Sequence, residues 1–391
     1  MADFDLARAR AETPGCAEVH HFNNAGAALP PEPVLRAQVE HLELEARIGG
    51  YEAARLKLAE AERAYDALAE LLNARPEEIA LVENATRAWD MAFYSLPWQK
   101  GDRILTTEAE YASNYLAYLQ VQRRSGVVVE VVPSLATGEV NLEALEAALA
   151  RPAALVSVTH VPTSSGLVNP AEEIGRLTRA AGVPYLLDAC QSIGQLPLDV
   201  EAIGCDLLSA TSRKYLRGPR GAGLLYVRRE LLDRLEPPLV DLRAADWTGR
   251  DEYELRPDAK RFETWERSVA TRLGLGAAVD YALALGVETT WPRVQEVAAG
   301  LRAALAGVPG VELADHGANP CGIVTFVVAG HAAEEVRERL LERRVNVQHI
   351  PREHSRLDME ARGLDEVVRA SVHYYNDEGD IEALVAALRS L

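Results

Sequence analysis

Cysteine is scarce in this chain of 391 residues. Cys16, Cys190, Cys205 and Cys321 are the only four, with no CxxC pair and no Cys/His spacing suited to a metal. That excludes a disulfide framework or a zinc ribbon and fits thiols held in a reducing compartment. Basic residues are in deficit too, 41 against 59 acidic, for a formal net charge of −18. Such a balance argues against nucleic acid or an anionic membrane as the main partner. No apolar run approaches the roughly 20 residues needed to span a bilayer. The opening MADFDLARARAETPG lacks the apolar core of a secretory signal. Internal repeats and low-complexity tracts are also missing, and a cytoplasmic protein is the expectation.

What is present is ordinary globular material, 48% hydrophobic and 26% charged, enough for a sizeable core. The length allows two or more domains, or one large domain with a smaller lobe. Residues 52–72 carry Leu and Ala at helical spacing. IALVEN (79–84), DRILTTE (102–108), VVVEVVP (127–133), AALVSVTH (153–160) and VPYLLDA (183–189) read as strands. Helical patterns at TRAWDMAFYSL, SNYLAYLQVQRR, 141–150 and 171–181 separate them. This βαβ series predicts a mostly parallel sheet covered on both faces. CDLLSAT (205–211) and GAGLLYVR (221–228) add two strands. Residues 236–265, rich in charge, Pro and aromatics, predict a long ordered excursion or lid. A helical pattern at 268–306 precedes a compact α+β lobe. The expected division is a segment at 1–20 packing on the small domain, a large domain at 21–265 and a small domain at 266–391.

Open α/β sheets hold ligands at the carboxyl ends of their strands. Past IALVEN, Asn84-Ala85-Thr86 opens a helix whose free N–H groups suit a phosphate, or whose Thr86 is a plain cap. Tyr111 follows LTTEAE, where it either stacks on a flat ring or packs in the core. Asp188 ends VPYLLD, with Gln191 just beyond. A buried acid there is costly without a cation or strong donor, and taken alone it is more often structural than catalytic. The next strand changes this, because it runs into SATSRKYLRGPRG, with Lys214 following Thr211. An Asp, a strand and then Thr-x-x-Lys is what a pyridoxal 5′-phosphate (PLP) site needs. The lysine forms a Schiff base with the aldehyde, and the carboxylate keeps the pyridine nitrogen protonated.

HFNNAGAALPP, ENAT, EYASN, THVPTSSGLVNP, LLDACQS, SATSRKYLRGPRGAGLLYV and RASVHYYN occur in this order along nearly the whole chain. In them the chain resembles the class V aminotransferase-fold PLP enzymes, the group of cysteine desulfurases, kynureninase and isopenicillin N epimerase. The resemblance implies fold type I, with a mostly parallel seven-stranded sheet. It implies Lys214 as Schiff-base lysine and proton shuttle, and Asp188 as pyridinium partner. Gln191 would bond the phenolic oxygen, and Tyr111 would cover the ring. Ala85, Thr86 and Thr211, with Arg213, would hold the phosphate. Arg369 would receive the substrate α-carboxylate as a bidentate pair, and Asn24 would approach the substrate. A homodimer is implied, with Arg267 and Ser268 of FETWERS reaching the neighbouring site.

Two features depart from the desulfurases. Tyr111 and Arg213 stand where histidines are usual. The segment before Arg369, NVQHIPREHSRLDMEARGLDEVV, has no cysteine to accept sulfur as a persulfide. SRKYLRGPRG and RFETWERS resemble the subgroup holding the epimerase-like proteins and the C–S lyase that cleaves hercynylcysteine sulfoxide. The expected activity is therefore β-elimination at the C–S bond of an S-substituted cysteine or cysteine sulfoxide, giving pyruvate and ammonia. Transamination and epimerisation stand as alternatives that share Cα deprotonation. In the elimination His349, with His354, Arg352 and Arg356, would assist the leaving group or grip the substrate, or else form a solvated basic loop. Intact Lys214 and Asp188 count against a non-catalytic relative.

Overall fold

A computed structural model describes residues 4–391. The strand β1 (His20–His21) opens the fold. The large sheet takes β2 (Ile79–Val82), β3 (Arg103–Thr107), β4 (Val128–Val132), β5 (Leu155–Thr159), β6 (Tyr185–Asp188), β7 (Leu207–Thr211) and β8 (Gly223–Val227). Their order is β2-β8-β7-β6-β5-β3-β4. β4, β3, β5, β6 and β7 run parallel, whereas β8 is antiparallel to both β7 and β2. The first strand of the predicted series thus sits at the far edge, beside the last. Every residue of β5 and β7 is buried, as expected for parallel strands covered on both faces, while edge strand β4 is largely accessible. One apolar cluster joins one face to helices 58–72 and 171–181, and another joins the opposite face to helices 85–94 and 112–125.

The 236–265 excursion contains a hairpin, β9 (Ala245–Gly249) with β10 (Glu252–Leu255). Beyond it lies an antiparallel sheet of order β11-β12-β15-β14, from β11 (Val311–Leu313), β12 (Ile323–Val328), β14 (Gln348–Pro351) and β15 (Glu366–Ser371). β13 (Val345–Asn346) pairs in parallel with β1, so the N-terminal strand belongs to this lobe. Two long helical patterns are each split in the structure. Residues 50–56 and 58–72 are separate helices on either side of Lys57, and 269–285 and 287–306 part at Gly286, whose φ of +76° is one that glycine accommodates. Helix Val269–Leu285 packs on helices Glu32–Ile48 and Leu58–Leu72 of the larger layer. Among the described residues no helix is long and apolar enough to cross a membrane.

Candidate active site

β5, β6 and β7 all end at one edge of the large sheet, and the register sets Thr159 beside Asp188. Thr211 closes β7 opposite Gly223, which also faces Val82. The antiparallel entry of β8 therefore carries the start of helix Ala85–Tyr94 to the same edge. A cavity of about 420 Å³ opens there, bounded by Ala85, Thr86, Tyr111, Thr159, Asp188, Gln191, Thr211, Arg213 and Lys214, with Asn84, Val161, Thr163 and Cys190. Strand exits from five separate stretches of sequence converge in it.

The groups around this cavity fit PLP. Asp188 is 5% exposed; Cys190 N–H donates to Oδ1 at 3.0 Å and Asn114 Nδ2 to Oδ2 at 2.9 Å. Neither donor is charged, and no salt bridge forms among the described residues, so the carboxylate has room for a pyridinium N–H. Gln191 Nε2 donates to Ala25 O at 3.0 Å, while its buried Oε1 has no partner. Asn84 caps its helix by accepting from Arg87 N–H at 2.9 Å, leaving the first-turn N–H groups for an anion. Gly223 permits the close approach, since a Cβ there would lie 2.5 Å from Asn84 C and 2.9 Å from Ala85 N. Burial pulls the Lys214 amine below the ordinary lysine range, favouring the neutral nucleophile.

Behind Asp188 stands a polar network that strand-end reasoning overlooked. Asn114 Nδ2 also donates to Glu110 Oε1 at 3.0 Å, and Glu110 further accepts from Thr106 Oγ1, Tyr118 OH, Tyr111 N–H and Thr159 Oγ1. Complete burial, with the Asp188 charge nearby, raises the Glu110 pKa. The available signal was EYASN itself, an acid and an amide four residues apart at a helix start.

Arg369, on β15, is 3% exposed. Its Nη1 donates to Thr163 Oγ1 and, at 3.3 Å, to Thr163 O, while Nη2 lies 3.4 Å from Asn23 Oδ1. Its buried Nε has no partner. Burial first, with Arg213 adding to it, holds the guanidinium down to about 10. The Arg213 side chain reaches Gly26 O, on the same turn as Asn23.

Asn24 and His349 lie outside the cavity, and Ser268, expected to serve a neighbouring copy, does not line it in its own chain. Asn24 donates to Ser371 O at 2.7 Å and accepts from Tyr375 OH, so its amide is committed to joining β1 to β15. Its neighbour Asn23 is the one that faces Arg369. His349 is held between Glu334 and Glu366, at 2.7 and 2.8 Å, outside the cavity. Ser268 caps helix Val269–Leu285 beside a separate small recess shared with Arg267.

The aminotransferase class-V family model matches residues 19–384. The chain belongs to this family. PLP is accordingly its cofactor, and it is a class V enzyme of the fold type I architecture. A probable cysteine desulfurase of Methanothermobacter thermautotrophicus is 30% identical over 380 residues, covering 95% of this chain and 94% of that protein. Among solved structures, the apo cysteine desulfurase of Thermococcus onnurineus superposes with a TM-score of 0.92 at 26% identity, covering 100% and 99% of the two chains. The cystine C–S lyase C-DES, in complex with its product cysteine persulfide, gives 0.87 at 26% identity, covering 96% and 99%. A variant of C-DES holds glycine covalently linked to its PLP. The class V enzyme described here is thus desulfurase- and C–S lyase-like.

Proposed function

We propose that this enzyme is a C–S lyase that cleaves an S-substituted cysteine or a cysteine sulfoxide by β-elimination, releasing pyruvate and ammonia. The observation that carries this reading is the segment ahead of Arg369. Residues 345–365 form two short strands, a turn and a short helix without a single cysteine. A persulfide-accepting desulfurase needs a thiol there; a departing thiolate or sulfenate does not. The four thiols elsewhere are poor substitutes. Cys205 and Cys321 are buried, Cys16 packs on the small-lobe core, and burial raises the Cys190 pKa against the thiolate.

In this reading Ala85 N–H, Thr86, Thr211 and Arg213 would hold the phosphate, Tyr111 would cover the ring and Gln191 would meet the phenolic oxygen. Bound PLP supplies an acceptor for the electron pair left at Cα. Asp188 keeps the proton on the pyridine nitrogen that makes this acceptor effective. Arg369 receives the α-carboxylate through its planar fork, orienting the Cα–H bond. The Lys214 amine, whose charged form burial disfavours, takes the Cα proton. The Cβ–S bond breaks with its electron pair leaving on sulfur, and water releases the remaining fragment as pyruvate and ammonia.

A homodimer in the cytoplasm belongs to the same proposal. Arg267 and Ser268 of a second copy would add to the phosphate site, and the exposed Leu242, Trp247 and Trp265 nearby support a covered face.

The test is product analysis with S-methyl-L-cysteine sulfoxide, which should yield pyruvate and ammonia in equal amounts. A second reading, cysteine desulfurase, is favoured by the names of the relatives. It would give alanine from L-cysteine and no pyruvate. Accumulating pyridoxamine phosphate would point to transamination, and a D-amino acid to epimerisation.

A further inference from the structure

Arg217 lies outside the cavity, yet its setting is unusual. Its side chain is 1% exposed, and no carboxylate forms a salt bridge with it among the described residues. Burying an unpaired cation is costly. Its backbone has a φ of +59°, in the left-handed region that glycine favours. A glycine would make this turn more readily, so the side chain must be what the position requires.

The surroundings show what that side chain does. Arg217 N–H closes a turn onto Lys214 O at 2.9 Å. Its guanidinium donates from Nε to Leu29 O at 2.8 Å, from Nη1 to Tyr374 OH at 2.7 Å and from Nη2 to Thr13 Oγ1 at 2.5 Å. The rings of Tyr281, Tyr374 and Tyr375 have centroids 5.6, 5.3 and 4.7 Å from it. Alongside, the His373 ring Nε2 meets Tyr215 O at 2.9 Å. The turn that presents Lys214 is therefore fastened to residues 373–375, which continue directly from the strand bearing Arg369. Lys214 comes from the large sheet and Arg369 from the small one, and this fastening lies three residues from the lysine.

We propose that Arg217 is a positioning residue that sets the separation between the Lys214 amine and the Arg369 guanidinium, making the site selective for amines that carry an α-carboxylate. The inference rests on Arg369 as the carboxylate receptor. A fork with three fixed acceptors and an aromatic cage holds distance and orientation together, which a lysine at 217 could not do.

The experiment titrates PLP-loaded wild-type, Arg217→Gly and Arg217→Lys proteins with glycine and with methylamine, which lacks the carboxylate. The spectral change of the bound PLP is followed, and PLP retention and thermal midpoints are recorded. Wild type should bind glycine more tightly than methylamine. Both variants should retain PLP and bind methylamine within about twofold of wild type, while glycine binding falls about tenfold or more. Equal weakening for both amines, or for neither, with the wild-type preference intact, would overturn the inference alone. A wild type without preference for glycine would overturn the carboxylate reading of Arg369 and this inference with it. Because Arg217→Lys keeps the buried charge, and Arg217→Gly relieves the backbone, a fold defect in one variant leaves the other to decide.

Discussion

Gly223 is the position where one methyl group would test the proposed phosphate site most directly. Its backbone passes the start of helix Ala85–Tyr94 so closely that an alanine Cβ would lie 2.5 Å from Asn84 C, where ordinary contact begins at 3.4 Å. The helix start must therefore retreat by about 0.9 Å, and the obstacle is backbone, which no rotamer change can clear. Overpacking of this kind costs about 1–3 kcal/mol. Two β-ladders hold Gly223 in place, to Thr211 and to Val82, so the strain falls on residues 84–86. Hydrogen bonds from those first-turn N–H groups to the phosphate of the proposed site would lengthen accordingly. If most of the strain appears in binding, PLP affinity falls by roughly 5- to 150-fold. Fluorescence titration of the apo protein with PLP measures this directly. Gly276→Ala is the control, because its Cβ would meet nothing nearer than Ala64, at 3.6 Å. In mid-helix that change should stabilise the fold by about 0.4–1 kcal/mol and leave PLP affinity alone. A Gly223→Ala protein that binds PLP as wild type does would refute the argument that close approach shapes the phosphate site.

Two more predictions follow from buried groups. Lys214→Ala should still bind PLP through the phosphate and Asp188 contacts, but borohydride should no longer fix the cofactor to the protein. Turnover should fall by at least about 10²–10⁴-fold with the amine proposed to transfer the Cα proton gone. Mass spectrometry after reduction and pyruvate assay would check both. His160 is buried with Nδ1 unpartnered, and burial lowers its pKa from 6.5 to about 4. Between those values the unfolded chain binds a proton that the folded chain refuses, so stability falls as pH drops. Urea unfolding of wild type should lose roughly 2 kcal/mol from this group between pH 7 and pH 5. A His160→Asn protein should show a loss smaller by about that amount, and an unchanged pH slope would refute this assignment.

Strand exits led to the cavity because a parallel sheet brings its strand ends to one edge. Asp188, Thr211 and Lys214 follow apolar runs whose ends share one edge, and Thr86 opens a helix there. Their positions depend on local pattern and one topological rule. Asn24 and Asn23 are different, since nothing in NNAG says which amide turns toward Arg369. That choice is made where residues 20–23 meet β13 and β15, from a distant part of the chain. His349 looked available for a substrate as one of a basic cluster, yet Glu334 and Glu366 flank it only once a helix and two strands are assembled.

The sequence by itself carried the α/β alternation and, through motif order, the resemblance to the class V PLP enzymes, and it set Asp188 and Lys214 at strand exits that line one cavity. Those features are carried within short stretches, so no long-range packing is needed to see them. Only the tertiary structure decided that β2 lies at the sheet's far edge beside β8. It also revealed the Glu110–Asn114 network behind Asp188, and gave Arg217, a residue without an evident role in the sequence, its place between the two lobes. Each depends on groups remote along the chain approaching to within hydrogen-bond distance, and that proximity arises only when the sheets and their covering helices pack.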